Sequence, residues 1–141
     1  MKIPEECKAI LSDKKIALSG KRTTTLYLLN PKERRVEKIV VDGCAITEGK
    51  RCDWLVRLND PISKEEVFVE LKGSSVYEAV DQLRTTIKRL STDRAKLPKR
   101  SFIVFNRNPM TGTDTQKYAL EFRKKFNSEL KLVKDKQAVP L

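Results

Sequence analysis

Residues 53–90 read DWLVRLNDPISKEEVFVELKGSSVYEAVDQLRTTIKRL, and the spacing of apolar residues along this stretch decides the fold. Two apolar-rich runs, 53–58 and 67–72, flank the turn-forming segment 59–61, which predicts an antiparallel hairpin. After Gly73 the apolar residues recur at the helical period, which predicts a helix of about four turns. Its apolar stripe contains Val76, Ala79, Val80, Leu83, Ile87 and Leu90.

The chain before this stretch predicts one helix and one further hairpin. Apolar residues at helical spacing indicate a short amphipathic helix over residues 4–12. Two β-rich runs, 23–29 and 35–41, lie on either side of the turn cluster 30–33 and predict a hairpin that ends before Gly43.

The chain after this stretch predicts a strand, a helix and a second strand. Residues 101–105 form a continuous apolar run, which is typical of a strand buried on both faces. The following helix has an apolar stripe of Tyr118, Ala119, Phe122 and Phe126. Residues 130–133 predict an edge strand before a frayed tail. Capping boxes are predicted at the starts of both later helices, formed by Ser75 with Glu78 and by Thr113 with Gln116.

This order of elements predicts a mixed α+β fold of the α/β kind, in which helices flank a mixed central sheet. The hairpins supply antiparallel strand pairs, and the last crossover supplies a parallel pair. A chain of 141 residues has room for one core, and neither a repeat nor a flexible linker divides it. We therefore expect a single domain over residues 1–141.

The charge balance of the chain is basic. It has 30 Lys and Arg residues against 19 Asp and Glu residues, which gives a net charge of +11. An excess of this size favours nucleic acid as the partner over a membrane surface. We interpret the densest basic residues as phosphate contacts: Lys88, Arg89, Arg94, Lys96, Lys99 and Arg100, with Lys117, Arg123, Lys124 and Lys125 in the last helix.

Histidine is absent from the chain, and its absence excludes Ser-His-Asp catalysis, Cys-His catalysis and histidine-ligated metal sites. Cys7, Cys44 and Cys52 contain no C-x-x-C spacing and predict buried thiols rather than disulfides or a zinc site. No apolar run approaches the ~20 residues that cross a bilayer, and the first residues lack the apolar core of a secretion signal. A cytoplasmic protein with no membrane partner is therefore expected.

Two carboxylates and one amine are predicted to share a site on the second hairpin. Glu70 and Lys72 are two positions apart in a strand and so project from the same face. If Asn59 pairs with Lys64 across the turn, the same register places Asp53 opposite Glu70, with Cβ atoms about 4.5–5.5 Å apart. Two carboxylates this close repel each other unless a cation neutralises them, and oxygen ligands favour Mg²⁺ or Mn²⁺. With Lys72 placed to assist a water, the set predicts metal-assisted phosphodiester hydrolysis.

Asp53, followed by Glu70-Leu71-Lys72 at the end of an apolar strand, resembles the D…E-x-K signature of the PD-(D/E)XK nuclease superfamily. The resemblance covers residues 36–105. It implies a restriction-endonuclease-like or resolvase-like fold, with a mixed sheet flanked by helices. It further implies that Asp53, Glu70 and the Leu71 carbonyl bind the metal and that Lys72 is the catalytic lysine.

The same resemblance suggests further site residues. Gln82 stands where many members carry a glutamine near the site, which makes it a candidate catalytic residue; taken alone, it reads as a surface residue of the helix. An upstream acid often completes such sites, and Glu5, Glu6 and Glu48 are the candidates. The residue before the aspartate is Cys52 rather than the proline of the signature.

The sequence therefore predicts a divalent-metal-dependent nuclease, with a DNA endonuclease favoured over one that acts on RNA. One site per chain implies a homodimer, or sequential nicking, where both strands of a duplex are cut. The alternative is a noncatalytic nucleic-acid-binding module or complex subunit on the same scaffold. A third reading is a basic protein-interaction domain in which the motif is a coincidence. Trp54 faces away from Asp53 and is interpreted as a core residue rather than a base-stacking platform.

Overall fold

A computed structural model of the chain describes residues 2–20, 24–61, 63–73, 75–108 and 110–141. A short 3-10 helix, Glu5–Cys7, precedes the first strand. In chain order the other elements are β1 (Lys8–Leu11), β2 (Lys15–Ser19), β3 (Thr25–Leu29), β4 (Val36–Val40), β5 (Trp54–Asn59), β6 (Lys64–Gly73), α1 (Val76–Leu90), β7 (Lys99–Phe105), α2 (Gly112–Phe126), β8 (Ser128–Lys134) and β9 (Ala138–Pro140). Within these residues, six strands form a mixed sheet in the order β1-β4-β5-β6-β7-β8, and three form a smaller sheet in the order β2-β3-β9.

The two helices and the smaller sheet cover opposite faces of the larger sheet. On the helical side, one core contains Leu83, Ile87 and Phe122 of the helices with Leu55, Phe68 and Ile103 of the sheet. On the other side, a second core contains Ile16, Leu18, Leu26 and Leu28 of the smaller sheet with Val56, Val67 and Phe102 of the larger one. The predicted mixed α+β fold is thus confirmed. None of the described helices is long and apolar enough to span a membrane.

The second predicted hairpin is confirmed, including its register. Strands β5 and β6 are antiparallel, and their pairing runs from Asn59 with Lys64 to Trp54 with Val69. The helix predicted after Gly73 is α1, and every residue of its predicted apolar stripe is buried. Local signals sufficed here because the turn and the change of period lie within the same short stretch.

Strands β6, β7 and β8 run parallel to one another, with α1 and α2 as the crossovers between them. Parallel strands with helices on one face and a second sheet on the other are buried on both sides. The predicted buried run 101–105 accordingly lies within β7, where Phe102, Ile103 and Val104 are buried. The predicted edge strand 130–133 lies within β8, which pairs with β7.

The helix predicted over residues 4–12 is wrong. The 3-10 helix ends at Cys7, and the residues that follow form β1, which pairs antiparallel with β4. A short apolar pattern fits both the helical and the strand period, and the ladder with β4 decides between them.

The first predicted hairpin is also wrong, although both of its strands exist. Strand β3 pairs with β2 and β9 in the smaller sheet, whereas β4 pairs with β1 and β5 in the larger one. The Asn30 side chain holds the connection, because its Nδ2 donates to the Asp13 and Arg34 carbonyls at 3.1 and 2.8 Å. The predicted turn therefore takes the chain from the smaller sheet to the larger one. Residue 23 of the predicted strand lies outside the described residues.

Three further local predictions are wrong. The Ser75 side chain makes no capping hydrogen bond to α1. Thr111, rather than Thr113 with Gln116, caps α2, and its hydroxyl accepts a hydrogen bond from the Asp114 N–H at 3.1 Å. The tail is not frayed, because β9 pairs in parallel with β3.

The predicted thiols at Cys7 and Cys44 are instead joined in a disulfide, with Cα atoms 5.7 Å apart. The two residues are 37 positions apart and meet only because β1 pairs with the strand that precedes Cys44. Cys52 is a free buried thiol, as predicted. Burial raises the pKa of the Cys52 thiol, which keeps it protonated and unreactive.

Candidate active site

A cavity of about 700 Å³ opens where β6 ends and α1 begins. Three further parts of the chain border it: Gly20 and Thr24 between β2 and β3, Asp42 after β4, and the loop before β5. The residues that line it are Gly20, Thr24, Asp42, Gly49, Lys50, Arg51, Asp53, Glu70, Leu71, Lys72, Ser75, Glu78 and Gln82. The predicted residues Asp53, Glu70, Leu71, Lys72 and Gln82 therefore come together in one cavity.

Asp53 lies one residue before β5, whose pairing with β6 ends at Trp54 with Val69. The Asp53 N–H donates to the Val69 carbonyl at 3.1 Å, and one Asp53 carboxylate oxygen accepts a hydrogen bond from the Leu71 N–H at 2.8 Å. The Leu71 bond holds the Asp53 carboxylate near that of Glu70, where its charge raises the pKa of Glu70. The register predicted from the turn holds from Asn59 with Lys64 to Trp54 with Val69, but the Asp53 N–H bonds one residue out of that register, so the predicted ladder pair of Asp53 with Glu70 is not observed.

Burial controls the protonation of this pair. Burial, with the neighbouring Asp53 charge as the second cause, raises the pKa of Glu70 to about 9. Burial also raises the pKa of Asp53, while the hydrogen bond from the Leu71 N–H opposes the shift. Near neutral pH and without a cation, the pair therefore holds a proton on Glu70.

The pair leaves one acceptor unsatisfied. Glu70 is only 3% exposed, and its Oε1 has no hydrogen-bond partner. A buried acceptor without a donor is costly, and a cation supplies what this oxygen lacks. The donor set of carboxylates beside a backbone carbonyl fits a hard cation such as Mg²⁺ or Mn²⁺. Among the described side chains, no three His, Cys, Asp or Glu groups gather closely enough to bind a metal, so backbone or water oxygens would complete the coordination.

Lys72 faces the pair, as predicted from the two-residue spacing. Its Nζ lies 3.9 Å from Glu70 Oε2 and 3.5 Å from Glu78 Oε1. Between Leu71 and Gly73 the pairing of β6 with β7 shifts, so Lys72 lies at a β-bulge. Bulges of this kind redirect side chains next to functional sites. The ammonium group therefore points into the cavity rather than along the sheet.

Gln82 borders the cavity from the second turn of α1. Its Nε2 donates to the Arg51 carbonyl at 3.2 Å, and its buried Oε1 has no partner. The amide is thus anchored at one end and presents a free acceptor at the other. Gln82 is a positioned residue in this structure, rather than one on an open helix surface.

The structure adds residues that sequence patterns did not single out. Asp42 lines the cavity, and its carboxylate accepts a hydrogen bond from Arg51 Nε at 2.8 Å. Arg51 also donates to the Gly49 carbonyl at 3.0 Å, which holds the loop before β5. Gly49 adopts a φ of 84°, which favours glycine. In the sequence Asp42 reads only as a turn residue, so no pattern could have identified it.

The predicted upstream acids are placed elsewhere. Glu5, Glu6 and Glu48 are exposed and are not among the described residues that line the cavity. Glu5 pairs with Lys8 at 3.3 Å. Glu5 and Glu6 lie on the short 3-10 helix before β1, and that helix does not bring either acid to the cavity.

The predicted phosphate contacts are only partly available. Lys99 is buried, and its ammonium donates to carbonyl groups that include Phe126 at 2.9 Å and Leu97 at 2.7 Å. Arg100 pairs with Glu65 at 2.6 Å. By contrast, Lys50 lines the cavity with 59% of its side chain exposed. Trp54 packs against the second core, as predicted.

We expect the metal-free protein to lose stability as the pH rises from about 5 to 9, because Glu70 then stays protonated only in the folded state. The unfolded chain binds fewer protons over this window, so the free energy of unfolding falls by up to about 1.4 kcal/mol per pH unit. Thermal unfolding in EDTA across this range measures the slope. Adding Mn²⁺ should reduce the dependence of the unfolding midpoint on pH, and Glu70→Gln should remove it. A midpoint that rises with pH would contradict this assignment.

Comparison of the chain with protein-family models, curated proteins and solved structures gave no match.

Proposed function

We propose that this protein is a divalent-metal-dependent nuclease that hydrolyses phosphodiester bonds, built on a restriction-endonuclease-like core of the PD-(D/E)XK kind. One observation carries the proposal. Glu70 is buried with one unsatisfied oxygen beside the partly buried Asp53, and the Lys72 ammonium lies 3.9 Å from its other oxygen. A purely structural hairpin gains nothing from this arrangement, because it buries acidic groups without satisfying them.

Asp53, Glu70 and the Leu71 carbonyl would hold the cation, which is Mg²⁺ or Mn²⁺. When bound, such an ion polarises a phosphoryl oxygen and lowers the pKa of a bound water. The Leu71 N–H fixes the Asp53 carboxylate through its 2.8 Å hydrogen bond, so this ligand is oriented before any ion binds.

Lys72 and Gln82 supply the remaining chemistry. The Lys72 ammonium projects into the cavity, where it attracts a phosphate and stabilises the negative charge that develops during hydrolysis. Gln82 Oε1 is a free acceptor, and it can orient a water by accepting one of its hydrogen bonds. The Arg51 carbonyl holds the other end of this amide in place.

Nucleic acid is the proposed substrate because the chain carries a net charge of +11. Charge of this sign raises the local concentration of polyanions and their rate of association. Lys50 adds an exposed cation at the cavity wall, and its ion pair with Asp81 is long, at 3.4 Å. DNA is proposed ahead of RNA, with a homodimer or successive nicks for the cutting of both strands.

The test is incubation of the purified protein with supercoiled plasmid and with circular single-stranded DNA, in Mg²⁺, in Mn²⁺ and in EDTA. We expect nicked or linear products that require a divalent cation. A nicked intermediate separates successive nicking from concerted cutting. Salt-sensitive binding without products in either metal would support the noncatalytic module instead. If the protein neither binds nor cleaves these DNAs, the basic protein-interaction domain is the interpretation that remains.

Lys72→Ala should lower kcat by about 10²–10³-fold, the usual loss when one group that stabilises developing charge is removed. The substrate affinity should change much less, because many other cations contact the backbone. Lys64→Ala is the matched control, since it removes an exposed lysine from the same strand, β6, outside the cavity. Single-turnover cleavage at saturating protein measures kcat separately from binding. Equal rates for both variants would contradict the role of Lys72.

A further inference from the structure

We infer that Glu78 is a positioning residue of the candidate active site, whose carboxylate holds the Lys72 ammonium in the cavity while Glu70 serves the cation. This inference rests on the proposed function, because it assigns a role within the same site. Glu78 touches neither the substrate nor the cation in this proposal, and it acts on the reaction only through Lys72.

The Glu78 side chain is directed at Lys72. The sequence predicts that Glu78 forms a capping box with Ser75, but the Ser75 side chain makes no capping hydrogen bond. Glu78 lies in the first turn of α1, lines the cavity and keeps 58% of its side chain exposed. Among the described residues, its ion-pair partner is Lys72, whose Nζ lies 3.5 Å from Glu78 Oε1. The predicted capping glutamate therefore contacts the end of β6.

The Lys72 ammonium lies between two carboxylates at unequal distances. Its Nζ is 3.9 Å from Glu70 Oε2 and 3.5 Å from Glu78 Oε1, so Glu78 is the nearer partner. Only 21% of the Lys72 side chain is exposed. The balance between the two acids therefore sets where the ammonium stands, and loss of one acid lets it move toward the other.

Glu70 cannot serve Lys72 and a cation equally. When its charge is engaged by a cation, Glu70 attracts the ammonium less, and two positive charges in one small site repel each other. Glu78 is not a proposed ligand, so its charge stays available to Lys72. The same contact keeps the ammonium from competing with the cation for Glu70. Glu78 thus holds Lys72 where it can meet the phosphate.

The general charge effect of Glu78 has the opposite sign. An acid in the cavity repels a phosphate backbone, so its removal tightens DNA binding and, without another role, does not slow cleavage. An acid in the first turn of a helix also interacts favourably with the helix dipole, but loss of that interaction lowers stability rather than kcat. A lower kcat without weaker binding is therefore specific to positioning.

The first experiment separates kcat from binding. Single-turnover cleavage of plasmid at saturating protein gives the rate, and fluorescence anisotropy of a labelled duplex in EDTA gives the affinity. We expect Glu78→Gln to lower kcat about tenfold, because a catalytic group held slightly out of place loses part of its effect. Its duplex affinity should equal or exceed that of the wild type. Glu78→Asp keeps the charge but shortens the reach, so its kcat should be intermediate.

Glu48→Gln is the matched control. It makes the same chemical change at an exposed glutamate that does not line the cavity, and it should leave kcat unchanged. A Glu78→Gln protein that cleaves as fast as Glu48→Gln would overturn the inference.

A double-mutant cycle tests whether Glu78 acts through Lys72. In the Lys72→Ala background, Glu78→Gln should lower the cleavage rate no further, because the group that Glu78 positions is gone. The same tenfold loss in that background would show that Glu78 acts independently of Lys72, and it would overturn the inference.

Metal binding supplies a readout that does not depend on cleavage. Without Glu78, Lys72 turns to Glu70 and competes with the cation. Glu78→Gln should therefore weaken Mn²⁺ binding about threefold, the scale of one exposed ion pair, and Lys72→Ala should abolish this effect. Electron paramagnetic resonance of free Mn²⁺ measures the affinity. An equal loss of Mn²⁺ affinity with and without Lys72 would show a general charge effect and contradict positioning.

The two proposals fail in different ways. Metal-dependent cleavage that Glu78→Gln leaves at the wild-type rate would remove the positioning role and leave the nuclease. If the protein yields no products with Mg²⁺ or Mn²⁺, but its Mn²⁺ affinity depends on Glu78 only when Lys72 is present, the contact is supported and the nuclease is removed.

Discussion

Glu70→Gln is expected to reduce phosphodiester cleavage by at least about a thousandfold, because it removes the charge of a proposed metal ligand whose contribution would be several kcal/mol. The same change should raise the unfolding midpoint of the metal-free protein near pH 8. Glutamine is neutral and can donate to Asp53, whereas Glu70 must be protonated to fold at that pH. The site therefore lowers the stability of the metal-free fold, and a bound cation offsets that loss.

The matched control is Glu65→Gln, which makes the same chemical change on the same strand. Glu65 pairs with Arg100 and does not line the cavity. Its variant should cleave at the wild-type rate, with a midpoint that is slightly lowered rather than raised. Cleavage is measured with Mn²⁺ and unfolding by circular dichroism in EDTA. A Glu70→Gln protein that still cleaves, or that unfolds at a lower temperature in EDTA, would contradict the role given to the pair.

Removing the Cys7–Cys44 disulfide should cost about 4 kcal/mol of unfolding free energy at most. The bridge closes a loop with a sequence separation of 37, and both sulfur-bearing residues pack in or against the helical core. Opening the bridge raises the conformational entropy of the unfolded chain. It also loosens the turn that follows β4, which carries Asp42. Urea unfolding of the Cys7→Ser, Cys44→Ser double variant measures the loss.

Reductant supplies the control for this measurement. Dithiothreitol should lower the unfolding free energy of the wild type to about that of the double variant. It should leave the unfolding free energy of the double variant unchanged. Asp53 and Glu70 are positioned by the β5–β6 hairpin, so the folded double variant should retain cleavage. If dithiothreitol does not change the urea midpoint of the wild type, the bridge contributes nothing to stability.

The acid pair and the lysine were accessible to sequence reasoning because their contacts are local. Asp53 and Glu70 are joined by one hairpin whose turn residues set the register, and Lys72 follows Glu70 by one strand period. The helix after Gly73 was accessible for the same reason, since its stripe repeats over several turns. In each case the chain segment that carries the signal also forms the contact.

Contacts between distant segments were not accessible. The turn residues around Asn30 signalled a change of direction, but only the packing of two sheets decided that β3 and β4 separate. The same holds for the Cys7–Cys44 bridge, for Asp42 and for the placement of Glu5, Glu6 and Glu48 away from the cavity. The bridge depends on the pairing of β1 with β4, and the other placements depend on how the strands and helices assemble.

By itself, the amino-acid sequence determined one hairpin with its register, the helix behind it, the α+β class and a candidate set of Asp53, Glu70 and Lys72. Only the tertiary structure decided which strands share a sheet, that a buried Glu70 oxygen lacks a partner, and that Gln82 borders the same cavity. The reason is physical: turn geometry and apolar period act between near neighbours, whereas burial is a property of the assembled layers.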